Sequence, residues 1–165
     1  MIYFDNAATT RALPAVAEKM STMLCEQYGN PASVSAMGLA AEKEIRNAAE
    51  IIARGIRCKY DEVFFTSGGT ESDNWALKGA AFAHQEKGKH IITTQIEHHA
   101  ILHTCQWLEA QGWQVTYLPV DADGFVSVQQ VENALCPDTV LVSVMAANNE
   151  IGTLDLTQSA ELVWI

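Results

Sequence analysis

The stretch that decides the fold is Ser67-Gly68-Gly69-Thr70-Glu71-Ser72, which follows the apolar run Val63-Phe64-Phe65-Thr66. The apolar run predicts a strand at 63–66, and the residues after the glycines predict the start of a helix. The first backbone N–H groups of a helix have no partner within it, and the helix dipole adds partial positive charge where they converge. The stretch therefore favours a site that holds a phosphate group.

Thr70 supports two interpretations of this turn. Its hydroxyl can donate a hydrogen bond to a phosphate oxygen, but threonine is also a good N-cap residue. Turns that join a strand to a helix through two glycines are common. The turn alone therefore does not choose between a phosphate site and an ordinary connection.

Composition and charge restrict the classes of protein. The chain has 165 residues, of which 48% are hydrophobic and 18% charged, so a globular domain with a sizeable core is expected. Its 20 acidic and 10 basic side chains give a net charge of -10. Phosphate backbones and anionic membranes attract clustered Lys and Arg, so we expect neither nucleic acid nor a membrane as a partner.

The N-terminus and the cysteines indicate a cytoplasmic protein. Residues 1–5 lack the basic flank and apolar core of a signal peptide. The cysteines are widely spaced and form no C-x-x-C pair, so we expect reduced, mostly buried thiols and no metal site. They are Cys25, Cys58, Cys105 and Cys136.

Apolar periodicity predicts a regular alternation of helices and strands. We predict helices at 12–27, 38–55, 71–87, 99–111 and 127–135, and strands at 63–66, 90–95, 114–119 and 139–145. Such β-α-β order implies right-handed crossovers and a mainly parallel sheet covered by helices on both faces. The predicted class is therefore α/β, with three layers.

Polar residues follow several of the predicted strands. Ligands of open parallel sheets bind beyond the carboxyl ends of the strands, so these residues are the candidate site. They are Gly69 and Thr70 after the first strand, Glu97 and His98 after the second, and Asn148 and Asn149 after the last. A structural alternative is that Glu97 and Asn148 only cap loops.

Three histidines, His98, His99 and His103, lie close together in the sequence. His99 and His103 are four residues apart and could share a helix face. No third metal-binding residue occurs at a spacing typical of a metal site, which argues against a metal. His98 lies where a helix is predicted to begin, and a helix N-terminus disfavours the charged imidazolium. A neutral, flat ring at this position is suited to stacking on a planar ligand.

Five motifs run along the chain in a fixed order. They are Tyr3-Phe4-Asp5-Asn6-Ala7-Ala8-Thr9-Thr10, Tyr28-Gly29-Asn30-Pro31-Ala32-Ser33, Phe65-Thr66-Ser67-Gly68-Gly69-Thr70-Glu71-Ser72-Asp73-Asn74, Thr93-Thr94 with Glu97-His98, and Ala147-Asn148-Asn149-Glu150-Ile151-Gly152. Together they resemble the cysteine desulfurase family, within the class-V aminotransferase-like group of fold-type I pyridoxal phosphate enzymes. They match only the N-terminal part of a family member.

The resemblance implies roles for single residues. Gly69 and Thr70 match the residues that hold the phosphate of pyridoxal 5'-phosphate. His98 matches the catalytic histidine that stacks on the pyridine ring and shuttles protons. Asn149 matches the asparagine that contacts the cofactor's ring oxygen. The implied fold is an incomplete large domain over 1–165, with a helical segment at 1–60 and an alternating β/α part at 61–165.

Other residues that the family requires have no match in this chain. They are the Schiff-base lysine, the aspartate that pairs with the pyridine nitrogen, the arginine that binds the substrate carboxylate and the cysteine that carries the persulfide. The resemblance also implies that three strands absent from this chain separate strand 63–66 from strand 139–145. We therefore expect an incomplete sheet and an inactive chain when it is alone.

The resemblance implies a reaction and its partners. Family members convert L-cysteine to L-alanine and pass the sulfur to acceptor or scaffold proteins for iron-sulfur cluster or thio-cofactor assembly, and they are homodimers. Two alternatives stay open at this point. One is a non-catalytic fragment that binds a phosphate ligand or a protein, and the other is a different class-V enzyme, such as a selenocysteine lyase or an aminotransferase.

Overall fold

The computed structural model describes residues 2–154, and these fall into two compact units that divide between Phe65 and Thr66. The first unit is helical. It contains α1 (Pro14–Cys25), α2 (Ala36–Ile56) and a single 3-10 turn (Tyr60–Glu62). The predicted helices at 12–27 and 38–55 are thus confirmed, with ends that shift by about two residues, as helix ends commonly do.

Helix α2 begins and ends on recognisable signals. The Ser35 hydroxyl accepts a hydrogen bond from the Gly38 N–H (3.2 Å), which caps the first turn. At the other end Arg57 adopts the left-handed conformation (φ 58°) and closes the helix. From the middle of α2, the Arg46 guanidinium donates to the Tyr60 hydroxyl of the 3-10 turn (2.9 Å). The buried residues of α2 are all small, since three are alanines and one is glycine.

The second unit is an alternating α/β structure built on a parallel sheet. Its elements are α3 (Gly69–His84), β1 (His90–Thr94), α4 (His99–Ala110), β2 (Gln114–Leu118), α5 (Val128–Ala134) and β3 (Thr139–Val142). The strand order is β2-β1-β3, and both pairs are parallel. The predicted α/β class with a mainly parallel sheet is therefore confirmed.

Both faces of the sheet carry apolar side chains. On one face, Leu77 and Ala81 of α3 and Leu108 of α4 pack against Ile91 of β1. On the other face, Ile92 packs against Leu118 and other apolar residues around α5. Strand β1 is buried along its whole length, since it lies between two strands and two layers of side chains.

The predicted strand at 63–66 is wrong. The sheet of the described residues has three strands, and residues 63–66 are not among them, although Val63 has extended backbone angles (φ -99°, ψ 120°). An extended segment becomes a strand only through a hydrogen-bond ladder with a neighbouring strand, so local sequence alone could not decide the matter. Strand 139–145 is also shorter than predicted, because β3 ends at Val142.

Within residues 2–154, none of the helices combines the length and the apolar composition needed to cross a lipid bilayer. The start of another helix, suggested by the sequence at 156–165, lies outside the described residues.

Candidate functional site

Helix α3 begins at the glycine turn without a side-chain cap. Gly68 is its N-cap residue, with extended angles (φ 161°, ψ 179°), and no side chain hydrogen-bonds to the first turn from that position. Thr70 lies inside the first turn, so the alternative that made Thr70 the N-cap is wrong. Its hydroxyl makes no hydrogen bond with the described residues. The first N–H groups of α3 therefore remain available to a ligand.

Two pairs of side chains hold the turn in place from outside. The Glu71 carboxylate accepts hydrogen bonds from the Ser67 N–H (2.6 Å) and from the Ser67 hydroxyl (2.7 Å). The Thr66 and Ser72 hydroxyls lie 2.6 Å apart, so one donates to the other, and the Gly68 carbonyl lies within hydrogen-bond distance of both and accepts from the second. The hydrogen bond from the Ser67 backbone lowers the pKa of Glu71. These contacts fix the conformation of the turn before any ligand arrives.

The glycines leave space at the start of α3. A Cβ atom placed on Gly68 or on Gly69 would meet no atom within 4 Å. The structure therefore does not need glycine at these positions for its own packing. The backbone at Gly68 and Gly69 is open to solvent, and a ligand can approach its N–H groups closely.

His98 caps the neighbouring helix, α4, with its own ring. Its Nδ1 accepts a hydrogen bond from the Ala100 N–H (3.0 Å). An acceptor nitrogen carries no proton, so this contact assigns the neutral tautomer with the proton on Nε2. The rest of the ring is exposed and can stack against a flat ligand while Nε2–H remains a donor.

Thr70 and His98 line the same open groove, which has a volume of about 330 Å³. The groove lies between α3 and α4, so the two predicted residues are brought together although they are 28 positions apart in the chain. Its lining consists of Thr70, Asn74 and Lys78 from α3, and His98, His99, Ala100, His103, Thr104 and Trp107 from α4. Gly69 precedes Thr70 at the start of α3.

Sequence reasoning missed the far part of this groove. Asn74 and Lys78 follow Thr70 at intervals of four residues, which places all three on one face of α3. The Lys78 ammonium lies 4.6 Å from the ring centroid of Trp107, and this contact adds positive charge to the groove. The spacing was visible in the sequence, but the partner on α4 was not.

Asn149 is not among the residues that line the groove. Its side chain is exposed, and its Nδ2 donates to the Glu150 carboxylate (3.0 Å). The adjacent Asn148 is buried and holds the loop together: Nδ2 donates to the Ile96 carbonyl (2.9 Å), and Oδ1 accepts from the N–H groups of Glu150 and Ile151. Asn148 thus has a structural role, in agreement with the alternative stated for it.

Glu97 joins the ends of two strands. Its buried carboxylate accepts hydrogen bonds from the Met145 N–H (2.8 Å) and from the Thr94 hydroxyl (3.1 Å). Met145 follows β3 and Thr94 ends β1, so Glu97 fixes one loop against the other. The polar groups after these two strands therefore meet at one edge of the sheet, as expected from parallel strands.

The histidine pair on α4 is close, with 5.4 Å between the ring centroids of His99 and His103. Within residues 2–154, no three side chains of the kinds that bind metals are grouped around a common point. The two rings contact each other edge to face and belong to the wall of the groove.

Comparisons with known proteins agree with the motifs. The model of the family Aminotransferase class-V matches residues 2–163. A cysteine desulfurase IscS of Clostridium botulinum is 53% identical over 154 residues, which are 93% of this chain and 39% of that protein. A cysteine desulfurase IscS of Methanosarcina thermophila is also 53% identical, over 93% of this chain and 38% of its own length.

Solved structures give the same result for the fold. A NifS-like protein superimposes with a TM-score of 0.89 at 45% identity, over 93% of this chain and 42% of its own. SspA in complex with cysteine superimposes with a TM-score of 0.87 at 41% identity, over 92% of this chain and 44% of its own. The fold is therefore that of the fold-type I large domain, present in part.

The chain spans about two fifths of the length of the curated relatives it matches. Over that span, the motifs, the parallel sheet and the family model agree along almost the whole sequence. The chain therefore belongs to the aminotransferase class-V family.

Proposed function

We propose that this chain supplies the phosphate-binding part of a pyridoxal phosphate-dependent cysteine desulfurase. The observation that carries the proposal is the groove in which the uncapped start of α3, with Thr70, lies opposite His98. The groove combines backbone donors, a hydroxyl and a neutral flat ring. This set of groups suits a ligand with a phosphate at one end and an aromatic ring at the other.

The residues present fit the cofactor on three points. The turn before α3 is open where a Cβ would stand at Gly68 or Gly69. The Thr70 hydroxyl has no partner among the described residues and can donate to a phosphate oxygen. The Lys78 ammonium adds positive charge in the same groove. The local field therefore favours an anion in a chain whose net charge is -10.

In this proposal each residue has a separate task. Gly69 and Thr70 hold the phosphate, and His98 stacks on the ring and holds or donates a proton at Nε2. Asn149, by its match to the family motif, would contact the ring oxygen of the cofactor from outside the lining of the groove. Pyridoxal phosphate supplies the electron sink that amino-acid chemistry requires. The Nδ1 hydrogen bond to Ala100 keeps the His98 ring oriented while Nε2 acts.

The proposed substrate of the whole protein is L-cysteine, converted to L-alanine with transfer of the sulfur to an acceptor or scaffold protein. Relatives at about 50% identity are named cysteine desulfurases, and one structural relative was solved in complex with cysteine. Iron-sulfur cluster assembly is the proposed use of that sulfur, and the proposed assembly is a homodimer.

Calorimetric titration with pyridoxal phosphate and with pyridoxal, which lacks the phosphate, tests the cofactor site. We expect pyridoxal phosphate to bind more tightly than pyridoxal. Thr70→Val should weaken pyridoxal phosphate by about tenfold, the loss expected for one good hydrogen bond. Gly69→Ala should also weaken it, because its methyl group would occupy the open space through which the phosphate approaches the backbone N–H groups. Both variants should bind pyridoxal as the unchanged protein does, because they alter only the phosphate end.

Gly79→Ala is the matched control, since Gly79 lies in the same helix and its Cβ would also meet nothing within 4 Å. It should leave both affinities unchanged. Equal affinity of the unchanged protein, Gly69→Ala and Thr70→Val for pyridoxal phosphate would contradict the proposed phosphate site. His98→Ala should weaken both ligands, because the stacking ring serves the end that they share.

A second candidate is a phosphate-ligand module without catalysis. It is favoured by one observation, that the lysine lining the groove, Lys78, lies over the ring of Trp107 and does not match the Schiff-base lysine of the resemblance. Under this candidate, borohydride reduction in the presence of pyridoxal phosphate leaves every lysine unlabelled, and L-cysteine releases no sulfide. Labelling of one lysine together with sulfide release would exclude it.

A further inference from the structure

A cluster of nucleophilic and basic side chains lies outside the groove. Cys136 Sγ is 3.3 Å from His90 Nδ1, although the two residues are 46 positions apart. Cys136 precedes β3, and His90 is the first residue of β1, so the cluster lies at the amino ends of parallel strands. The groove lies beyond the carboxyl ends of these strands, next to the starts of α3 and α4. The cluster is therefore separate from the proposed cofactor site.

Two threonines complete the cluster around the imidazole. The Thr139 hydroxyl lies 2.7 Å from His90 Nδ1, and the Thr116 hydroxyl lies 2.8 Å from His90 Nε2. The Thr139 hydroxyl can also donate to Cys136 Sγ (3.4 Å), and it accepts from the Cys136 N–H (2.9 Å). Each ring nitrogen of His90 therefore has an oxygen neighbour, so the ring can be held with a proton on either or on both nitrogens.

The base and the thiol of this cluster differ in their exposure to solvent. His90 is buried with 5% of its surface exposed, whereas Cys136 is exposed. The backbone beside them is fixed, because the His90 N–H donates to the Asp138 carbonyl (3.0 Å), and a Cβ on Gly88 would overlap the same carbonyl. A reagent from solvent can thus reach the sulfur while the base stays in place behind it.

We propose that Cys136 is a modification site, a thiol that His90 activates for exchange with small disulfides. A nucleophile within hydrogen-bond reach of a base that a third group orients is the arrangement that activates thiols elsewhere. Here Thr116 accepts from Nε2–H, so Nδ1 is the unprotonated nitrogen, and it lies within reach of the Thr139 hydroxyl (2.7 Å) and of the Cys136 thiol (3.3 Å), whose proton it takes. The imidazolium that forms has acceptors at both nitrogens, and the sulfur keeps the Thr139 hydroxyl as a donor.

The exchange step balances without a further reagent. The Cys136 S–H proton passes to His90 Nδ1, and Sγ attacks one sulfur of the incoming disulfide. A new S–S bond forms at Cys136 as the S–S bond of the reagent breaks. The leaving thiolate takes the bonding electron pair, and the proton on Nδ1 returns to it or to solvent. The reagent is the oxidant, and Cys136 is the group oxidised.

Other charges near the Cys136 sulfur disfavour its thiolate form, in contrast to the His90 imidazole. Cys136 follows the carboxyl end of α5, whose partial negative charge disfavours a thiolate, and Asp138 adds a carboxylate two residues further on. The imidazole contact is the feature that favours the thiolate. Removing the His90 imidazole should therefore lower the reaction rate of Cys136 strongly.

The experiment measures the second-order rate with Ellman's reagent, an aromatic disulfide, on single-site backgrounds. One protein carries Cys25→Ser and Cys58→Ser and so exposes only Cys136. The other carries Cys58→Ser and Cys136→Ser and exposes only Cys25, which makes no side-chain hydrogen bond with the described residues. Cys105 stays in both, because burial raises its pKa to about 12 and keeps it unreactive.

Near pH 6, Cys136 should react about tenfold faster than Cys25, because His90 takes the thiol proton as the sulfur attacks. Unfolding in urea should equalise the two rates. Mass spectrometry should locate the mixed disulfide on the peptide that contains Cys136. Equal rates for the two folded proteins near pH 6 would overturn the proposal.

Variants of the base decide whether His90 is responsible. His90→Asn should reduce the Cys136 rate to that of Cys25. If His90→Asn does not fold, Thr116→Val decides, since it removes only the hydroxyl beside Nε2 and keeps the shape of the side chain. Thr93→Val, the same change on the other face of β1, should leave the rate unchanged. An acceleration that survives Thr116→Val unaltered would overturn the role of His90.

Discussion

At the scale of single residues, Glu97 and Asn148 shape the edge of the sheet where the groove lies. Both side chains are buried and polar, and each joins the loop after β1 to the loop after β3. A buried polar group is stable only while its hydrogen bonds are made. These two residues therefore set the positions of loops that carry His98 and Asn149.

Replacing Glu97 should show how strongly the two loops are held. We expect Glu97→Ala to lower the free energy of unfolding by about 1 to 3 kcal/mol, because the Met145 N–H and the Thr94 hydroxyl lose their acceptor. Glu97→Gln keeps an oxygen in the same place and should cost less than Glu97→Ala. Chemical denaturation of the three proteins measures the difference. Equal stability of Glu97→Ala and the unchanged protein would contradict this role.

At the scale of elements, the helices differ in how they begin. Helices α2 and α5 carry serine caps, Ser35 and Ser127, and the second is a capping box with Gln130. Helix α3 has no side-chain cap at Gly68, and Glu71 instead binds the turn before it. A cap would occupy the N–H groups that the proposed phosphate needs. The uncapped start of α3 is therefore consistent with a ligand-binding role.

The Glu71 contact should make stability depend on pH. Hydrogen bonds from Ser67 lower the pKa of Glu71 in the folded chain below its ordinary value of 4.5. The unfolded chain then binds the proton more readily, so the contribution is present above pH 4.5 and is lost as the pH falls through the lower, folded pKa. Glu71→Gln should melt at a lower temperature than the unchanged protein at pH 7, and the gap should narrow near pH 3.

Glu86→Gln is the control for Glu71→Gln, because Glu86 is exposed and makes no hydrogen bond with the described residues. It should show no gap that depends on pH in the same way. A Glu71→Gln gap that stays constant between pH 7 and pH 3 would contradict the hydrogen-bonded role of the carboxylate.

At the scale of the whole molecule, the two units are built differently. In the unit Thr66–Ile165, the buried side chains include large apolar ones from the sheet and from helices on its face, such as Ile91, Ile101 and Leu108. In the unit Met1–Phe65, α1 has no buried residue and α2 buries only alanines and one glycine. Burial of large apolar groups is the main stabilising contribution in folding, so the units should differ in stability.

Hydrogen exchange measured by mass spectrometry should resolve this difference. Amides of β1 and α4 should exchange at least about tenfold more slowly than those of α1 and α2, because local opening costs less where few apolar contacts are lost. The comparison is internal to one sample, so buffer and temperature are matched. Equal protection of α1 and β1 would contradict this division of stability.

The sequence predicted most elements correctly because the signals are local. Apolar spacing identified α1, α2, α3, α4 and α5, and β-branched runs identified β1, β2 and β3. The strand at 63–66 was wrong for a physical reason: strand formation depends on a neighbouring strand, which a run such as Phe64-Phe65 does not specify. At the candidate site, Thr70 and His98 were anticipated, while Lys78 and Trp107 became neighbours only through helix packing.

By itself, the sequence determined the α/β alternation, the glycine turn that opens α3 and the histidine at the start of α4, because backbone propensity and capping act over a few residues. Only the tertiary structure decided the strand order β2-β1-β3, the groove between α3 and α4 and the contact of Cys136 with His90. Those features join residues that lie far apart in the chain. Their distances depend on sheet register and helix packing, which no local pattern encodes.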